Sequence, residues 1–129
     1  MKVVLDTSAY AGFKRDDGDL VARMVAADNI LFSAVVWGEL VFGFRTGSRF
    51  AQNMAELDAF LEHPIVTFAP VDKTAADRYA RIATQLKAKG EPIPTNDIWI
   101  AAQAMAHGAE LLTYDRHFAK VDGLVYTLF

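Results

Sequence analysis

The chain predicts an α/β fold, with helices covering both faces of a parallel sheet, and three observations lead there. Short β-rich runs alternate with helix-period segments along all 129 residues. The runs are mostly continuous apolar stretches, as expected for strands buried on both faces. Repeats, low-complexity tracts and long linkers are absent. With 129 residues and 53% hydrophobic content, the chain fits one domain spanning residues 1–129. Such a domain buries roughly two-thirds of the surface its unfolded form exposes.

Lys2 to Leu5 is the first expected strand, followed by a short helix around Ser8. After the Asp16-Asp17 turn, Leu20, Val21, Met24 and Val25 mark the buried stripe of a second helix. Ile30 to Ser33 is the second strand, and a helix carrying Val35 to Phe42 follows it. Phe50, Met54, Leu57 and Leu61 repeat at helical spacing after a candidate Ser48 cap. Ile65 to Phe68 is the third strand. Ala75, Tyr79, Ile82 and Leu86 form the next stripe, capped by Asp72 or Thr74 and stopped by Gly90. Two prolines make Glu91-Pro92-Ile93-Pro94-Thr95 an irregular entry that cannot itself be helical. Ile98, Ala102 and Met105 then mark a helix ending at Gly108, before strands at Glu110 to Thr113 and Leu124 to Leu128.

Composition narrows the chemistry. Cysteine is absent, which removes disulfides, thiolate ligation and thiol nucleophiles, so any metal must be held by oxygen or imidazole. Charges interrupt every apolar stretch well before the 18 or so residues of a membrane span, and the N-terminus begins like a strand rather than a leader. A soluble, cytoplasmic protein with no membrane attachment is expected. The net charge of −3 argues against coating nucleic acid wholesale, while leaving room for a local groove of Lys and Arg.

Four acids stand where negative charge is hard to explain. Asp6 closes Val3-Val4-Leu5, Glu39 lies within Val35 to Phe42, Asp97 opens Ile98-Trp99-Ile100-Ala101-Ala102, and Asp115 follows Leu111-Leu112-Thr113-Tyr114. A carboxylate walled in by apolar groups must be protonated, paired or metal-bound. Asp6 and Asp115 fall at the C-terminal ends of strands, where open parallel sheets form ligand crevices. Asp97 falls in the first turn of a helix, whose free N–H groups favour an anion. Glu39 projects from a helix body. Two such carboxylates about 4 Å apart repel by roughly 4 kcal/mol at an effective dielectric near 20, and Mg²⁺ or Mn²⁺ relieves that repulsion.

Three of the four acids also have a local explanation. Asp6 can form an Asx turn capping the Ser8 helix, Asp97 can be an ordinary first-turn residue, and Asp115 can be a turn former. Glu39 resists such a reading, because Val35, Val36, Phe42 and Gly43 are its helical neighbours. His63 before Pro64 and His107 before Gly108 read as structural residues at helix ends. His117 is close enough to Asp115 in sequence to touch a substrate. Ser8, Ser33 and Ser48 lack a G-x-S-x-G elbow, and no phosphate-loop signature is present. An aspartyl phosphatase would want an Asp where Ser8 stands, and a receiver domain would want an acidic pair at the first strand end.

Val4-Leu5-Asp6-Thr7-Ser8, Glu39-Leu40-Val41-Phe42-Gly43, Pro94 to Ala102 and Leu112 to Phe118 together resemble the PIN-domain nucleases, in particular VapC-type toxins of toxin–antitoxin pairs. The motifs occur in the family's order and cover nearly the whole chain. The resemblance implies a three-layer α/β/α sandwich with about five parallel strands in the order third, second, first, fourth, fifth. It implies Mg²⁺-dependent endoribonuclease activity with Mn²⁺ as a substitute, homodimerisation, and inhibition by a small cognate antitoxin lying across the site. By motif, Asp6, Glu39, Asp97 and Asp115 are the acidic quartet, with Thr7 or Ser8 and Thr113 as supporting hydroxyls. Asn96 stands where some relatives carry a further acid, so one metal and two are both compatible with the pattern.

On this reading Asp6 and Asp97 anchor the principal metal, while Glu39 and Asp115 orient the attacking water and complete a second site. Water attack on RNA leaves a 5′-phosphate and a 3′-hydroxyl. Lys14, Arg15, Arg45, Arg49 and Arg116 are the candidates for substrate contact. Trp37, Phe42, Phe44 and Phe50 concentrate aromatic surface near Gly47, where an antitoxin helix or second protomer would find a groove. The non-enzymatic rival is a PIN-fold module that binds RNA or protein without cutting.

Overall fold

The structure, a computed structural model, describes residues 1–129. Five parallel strands form one sheet in the order β3-β2-β1-β4-β5. They are β1 (Lys2–Leu5), β2 (Asn29–Ser33), β3 (Val66–Ala69), β4 (Glu110–Thr113) and β5 (Tyr126–Leu128). Six helices connect them: α1 (Thr7–Lys14), α2 (Gly18–Val25), α3 (Ala34–Thr46), α4 (Phe50–Leu61), α5 (Lys73–Lys89) and α6 (Thr95–Ala106). A 3₁₀ helix, Arg116–Lys120, follows β4.

Side-chain alternation on the central strands separates the layers. Val3, Leu5, Ile30 and Leu112 cluster with Ala9 of α1 and with Leu20 and Met24 of α2. Val4, Leu31 and Leu111 belong to a larger cluster with Ile82 and Leu86 of α5 and Ile98 and Ala101 of α6. Sandwiching between α1/α2 and α5/α6 explains why β1 carries no polar face: Val3, Val4 and Leu5 are all buried. Tyr79, partly buried on α5, stacks on Trp99 of α6 with ring centroids 4.0 Å apart, fastening those two helices.

Several local expectations shift. The α4 helix starts at Phe50 behind Arg49 with no side-chain cap, so Ser48 does not cap it. Val25 leaves the α2 stripe and is 78% exposed, because the short helix turns its last residue outward. Thr95 is already the first residue of α6; Pro94 supplies the preset φ of −55° just before it, so the helix begins directly at the end of the proline segment. The last strand starts at Tyr126 rather than Leu124, and the third runs one residue later than Ile65 to Phe68. As an edge strand, β3 leaves Phe68 44% exposed, whereas Phe32 beside it on β2 is fully buried.

Asp72 caps α5 by accepting the Ala75 N–H at 2.9 Å, and Gly90 ends it in the left-handed conformation at φ 66°. Gly90→Ala is expected to lower stability by about 1 kcal/mol, because a Cβ is disfavoured there. Urea unfolding measures this; an unchanged midpoint would show that the helix end relaxes freely.

Candidate active site

The sheet order places the site. Connections from β1 to β2 and β3 run one way across the sheet, and the chain then returns to β4 on the other side of β1. The C-terminal edge between β1 and β4 is therefore a switch point, where loops diverge and leave a crevice. In the register Leu5 lies beside Leu112, so the next residues, Asp6 and Thr113, meet at that edge.

Asp6 is buried and fully engaged. Its Oδ1 accepts the Ala9 N–H at 2.8 Å and the Ser8 hydroxyl at 2.7 Å, and its Oδ2 accepts the Thr113 hydroxyl. The expected helix cap is therefore present, and it fixes the carboxylate in the crevice at the same time. Burial pushes the Asp6 carboxyl above its ordinary range and Asp115 adds to the rise, while the Ser8, Thr113 and Ala9 donors oppose it.

Asp97 is the third residue of α6, with its side chain mostly buried. Burial is the main force raising its carboxyl to about 6, and the charges of Asp115, Glu39 and Asp6 push the same way, against His117. Asp97 thus feels the charges of the other three acids. Glu39, in the sixth position of α3, accepts the Thr7 hydroxyl at 2.6 Å and the Asn96 amide at 3.3 Å. At position 96 an amide thus steadies Glu39, where a carboxylate would repel it. Asp115 caps the 3₁₀ helix by accepting the His117 N–H at 2.8 Å, and its own N–H donates to the Thr113 hydroxyl at 2.9 Å. Ser8 Oγ accepts the Tyr114 N–H at 3.0 Å and lies 3.4 Å from Thr113 Oγ1, closing the link between β1 and β4.

The substrate-contact candidates are placed differently from one another. Arg116 follows Asp115 directly and is exposed. Arg15 lies over the Tyr114 ring, 5.3 Å from its centroid, and Tyr114 adjoins Asp115. Lys14 is committed to Glu56 at 3.0 Å, at the far end of α1 from Asp6. Arg45 lies over Phe50 at 4.7 Å at the α3–α4 turn, and Arg49 is the exposed residue before α4. Of the aromatic group, Phe42 is 71% exposed; it borders a crevice with Val35, Glu39, Val71, Asn96 and Trp99. The Glu39 side is thus open to solvent rather than walled in. Trp37, Phe44 and Phe50 are partly buried against the core.

Sequence reasoning gave His117 only a peripheral role, yet its Nδ1 lies 3.0 Å from Asp115 Oδ1 and 3.5 Å from Asp97 Oδ2. Its two-residue spacing from Asp115 was the available signal. Tyr114 was also passed over: its hydroxyl donates to Asp17, and its ring lies against Gly12, where an added Cβ would come within 2.5 Å of it. The histidines read as structural are at helix ends, His107 closing α6 and His63 accepting the Ile65 N–H on Nδ1 at 3.3 Å.

A parallel sheet with four carboxylates around its switch-point crevice defines an α/β/α protein with the donor set for a divalent cation. Asp97, Asp115 and His117 each offer a ligand atom, all within 4.8 Å of one another. The family model for the PIN domain matches residues 3–124. The chain is 31% identical over 123 residues to ribonuclease VapC5 of Mycobacterium tuberculosis, covering 93% of this chain and 87% of that protein. It superposes on VapBC2 of Rickettsia felis bound to a promoter DNA fragment with a TM-score of 0.89 at 24% identity, covering 100% of this chain and 99% of that one. VapBC-5 of Mycobacterium tuberculosis, a member of the VapBC family of toxin–antitoxin systems, matches at 29% identity with a TM-score of 0.76, covering 99% and 97%. The chain belongs to the PIN-domain family.

Proposed function

We propose that this protein is the endoribonuclease toxin of a toxin–antitoxin pair, hydrolysing RNA phosphodiester bonds with Mg²⁺, or Mn²⁺ in its place. The observation that carries the reading is the crevice at Asp97, whose carboxyl rises to about 6 first through burial and then through the charges of Asp115, Glu39 and Asp6. A crevice of this kind favours a cation. Similarity to a ribonuclease and to a toxin–antitoxin protein supports the activity and the biological role.

The catalytic residues in this reading are Asp6, Glu39, Asp97 and Asp115. When bound, a divalent cation acidifies a water for attack and offsets charge building on the phosphate. Asp6, immobilised by Ser8, Thr113 and the α1 N-terminus, provides a fixed oxygen donor at the strand end. Glu39, steadied by Thr7 and Asn96, and Asp115, anchored through Thr113, orient the attacking water. Arg116, which follows Asp115 in the chain, and Arg15, over the Tyr114 ring, are the proposed contacts for the RNA backbone. A small antitoxin protein covering the crevice and a second copy of the chain are the proposed protein partners, and the exposed Phe42 offers apolar surface for docking.

Incubating the purified protein with RNA and Mg²⁺ or Mn²⁺ is expected to give fragments with 5′-phosphate ends, and chelation abolishes cleavage until metal is restored. Cyclic phosphate ends, or cleavage that persists in chelator, would overturn the mechanism. RNA binding without cleavage by the intact quartet would mark the protein as a binding module.

A further inference from the structure

His117 differs in kind from the other groups around the crevice: it brings a nitrogen donor to a set of oxygens. The 3₁₀ turn after β4 creates the arrangement. Asp115 accepts the His117 N–H at 2.8 Å, which folds the chain back over the crevice. The imidazole Nδ1 then lies 3.0 Å from Asp115 Oδ1 and 3.5 Å from Asp97 Oδ2. One ligand atom from each of the three residues lies within 4.8 Å of the others. Donors bound to one ion at about 2.1 Å stand roughly 3 to 4 Å apart, so small side-chain rotations suffice to bring these three onto a single ion. Asp6 and Glu39 hold most of their contacts with hydroxyl, amide and backbone donors. The side chains of Asp97 and Asp115 instead meet at His117.

We propose that His117 Nδ1 is a ligand of a divalent ion held between Asp97 and Asp115, forming a position that prefers Mn²⁺, Co²⁺ or Zn²⁺ to Mg²⁺. The inference rests on the reading of the acidic crevice as a metal site, and it adds a chemical distinction within that site. Imidazole binds borderline transition ions well and contributes little to Mg²⁺, which keeps oxygen ligands and its own waters. A crevice of carboxylates alone would show a weaker preference. The side chain is 48% exposed, so its ring can turn toward an ion without disturbing the core.

The test uses the full chain, stripped of metal and titrated with Mn²⁺ while free Mn²⁺ is followed by electron paramagnetic resonance. Spin-echo spectra of the bound ion report nitrogen coupling. The parent protein is expected to show imidazole nitrogen coupling that persists in His63→Ala and His107→Ala and vanishes in His117→Ala. His117→Ala and His117→Gln are each expected to weaken Mn²⁺ binding by about tenfold or more, on the scale seen when groups supporting a metal site are removed. Mg²⁺ affinity, read by competition against Mn²⁺ in the same variants, changes far less. Circular dichroism checks that both variants keep the parent fold. Bound Mn²⁺ and RNA cleavage without nitrogen coupling, or a His117→Ala affinity equal to the parent's, overturns the inference and leaves the nuclease reading standing. A parent protein that neither binds Mn²⁺ nor cuts RNA overturns both.

Discussion

Asp97→Asn is expected to melt at a higher temperature than the parent protein at pH 7 without metal, and to cleave RNA about a thousandfold more slowly, the scale of removing a principal electrostatic group from an active site. The two effects share one cause. Asp97 has its carboxyl raised from 3.8 to about 6, first by burial and then by Asp115, Glu39 and Asp6. The folded protein therefore holds this proton more tightly than the unfolded chain does. The stability contributed by the protonated group is complete below about pH 4 and disappears as the pH rises through about 6. Asparagine stays neutral throughout, so it avoids that loss at pH 7, while it cannot serve as an anionic ligand. Melting curves in chelator from pH 4 to 8 should show the parent losing more stability than the variant across that window. A variant that melts lower at pH 7, or a parent with the same pH slope, would refute the electrostatic account. The raised Asp6 carboxyl remains in both proteins, so some slope persists in the variant.

Thr113→Val is the second large effect, on stability and activity together. The Thr113 side chain is completely buried at the end of β4; its hydroxyl donates to Asp6 and accepts the Asp115 N–H at 2.9 Å. Valine has nearly the same shape, so packing is preserved while two polar groups lose a partner. Removing both hydrogen bonds is expected to cost about 2–4 kcal/mol, with the buried Asp6 carboxyl taking the larger share. Because the same hydroxyl aligns both acids, RNA cleavage should fall with it, and Thr113→Ser should recover much of both. Chemical denaturation and cleavage rates measure the pair. If Thr113→Val retains parental stability and rate, the hydroxyl bridge is dispensable.

The four acids were legible because each interrupts or ends an apolar run. Asp6 after Val3-Val4-Leu5 and Asp115 after Leu111 to Tyr114 are placed by strand periodicity alone, and the strand-end positions direct both to the sheet edge. The Asp72 and Gly90 signals around α5 were equally readable, since capping and left-handed termination act within a few residues. Local rules failed at Ser48 and Val25, where the surrounding packing decides which residue begins or leaves a helix. They also could not rank His117, whose partner Asp97 is twenty positions earlier in the chain.

By itself, the sequence determined that this protein would build a parallel α/β sheet with acids at its ends and no thiol chemistry, because those properties follow from side-chain type and short-range spacing. The tertiary structure alone decided that Asn96 restrains Glu39, that Thr113 joins Asp6 to Asp115, and that His117 meets two carboxylates. Hydrogen bonding and Coulomb forces depend on distance in space, and the distances that matter here join residues as far apart in the chain as Asp6 and Thr113.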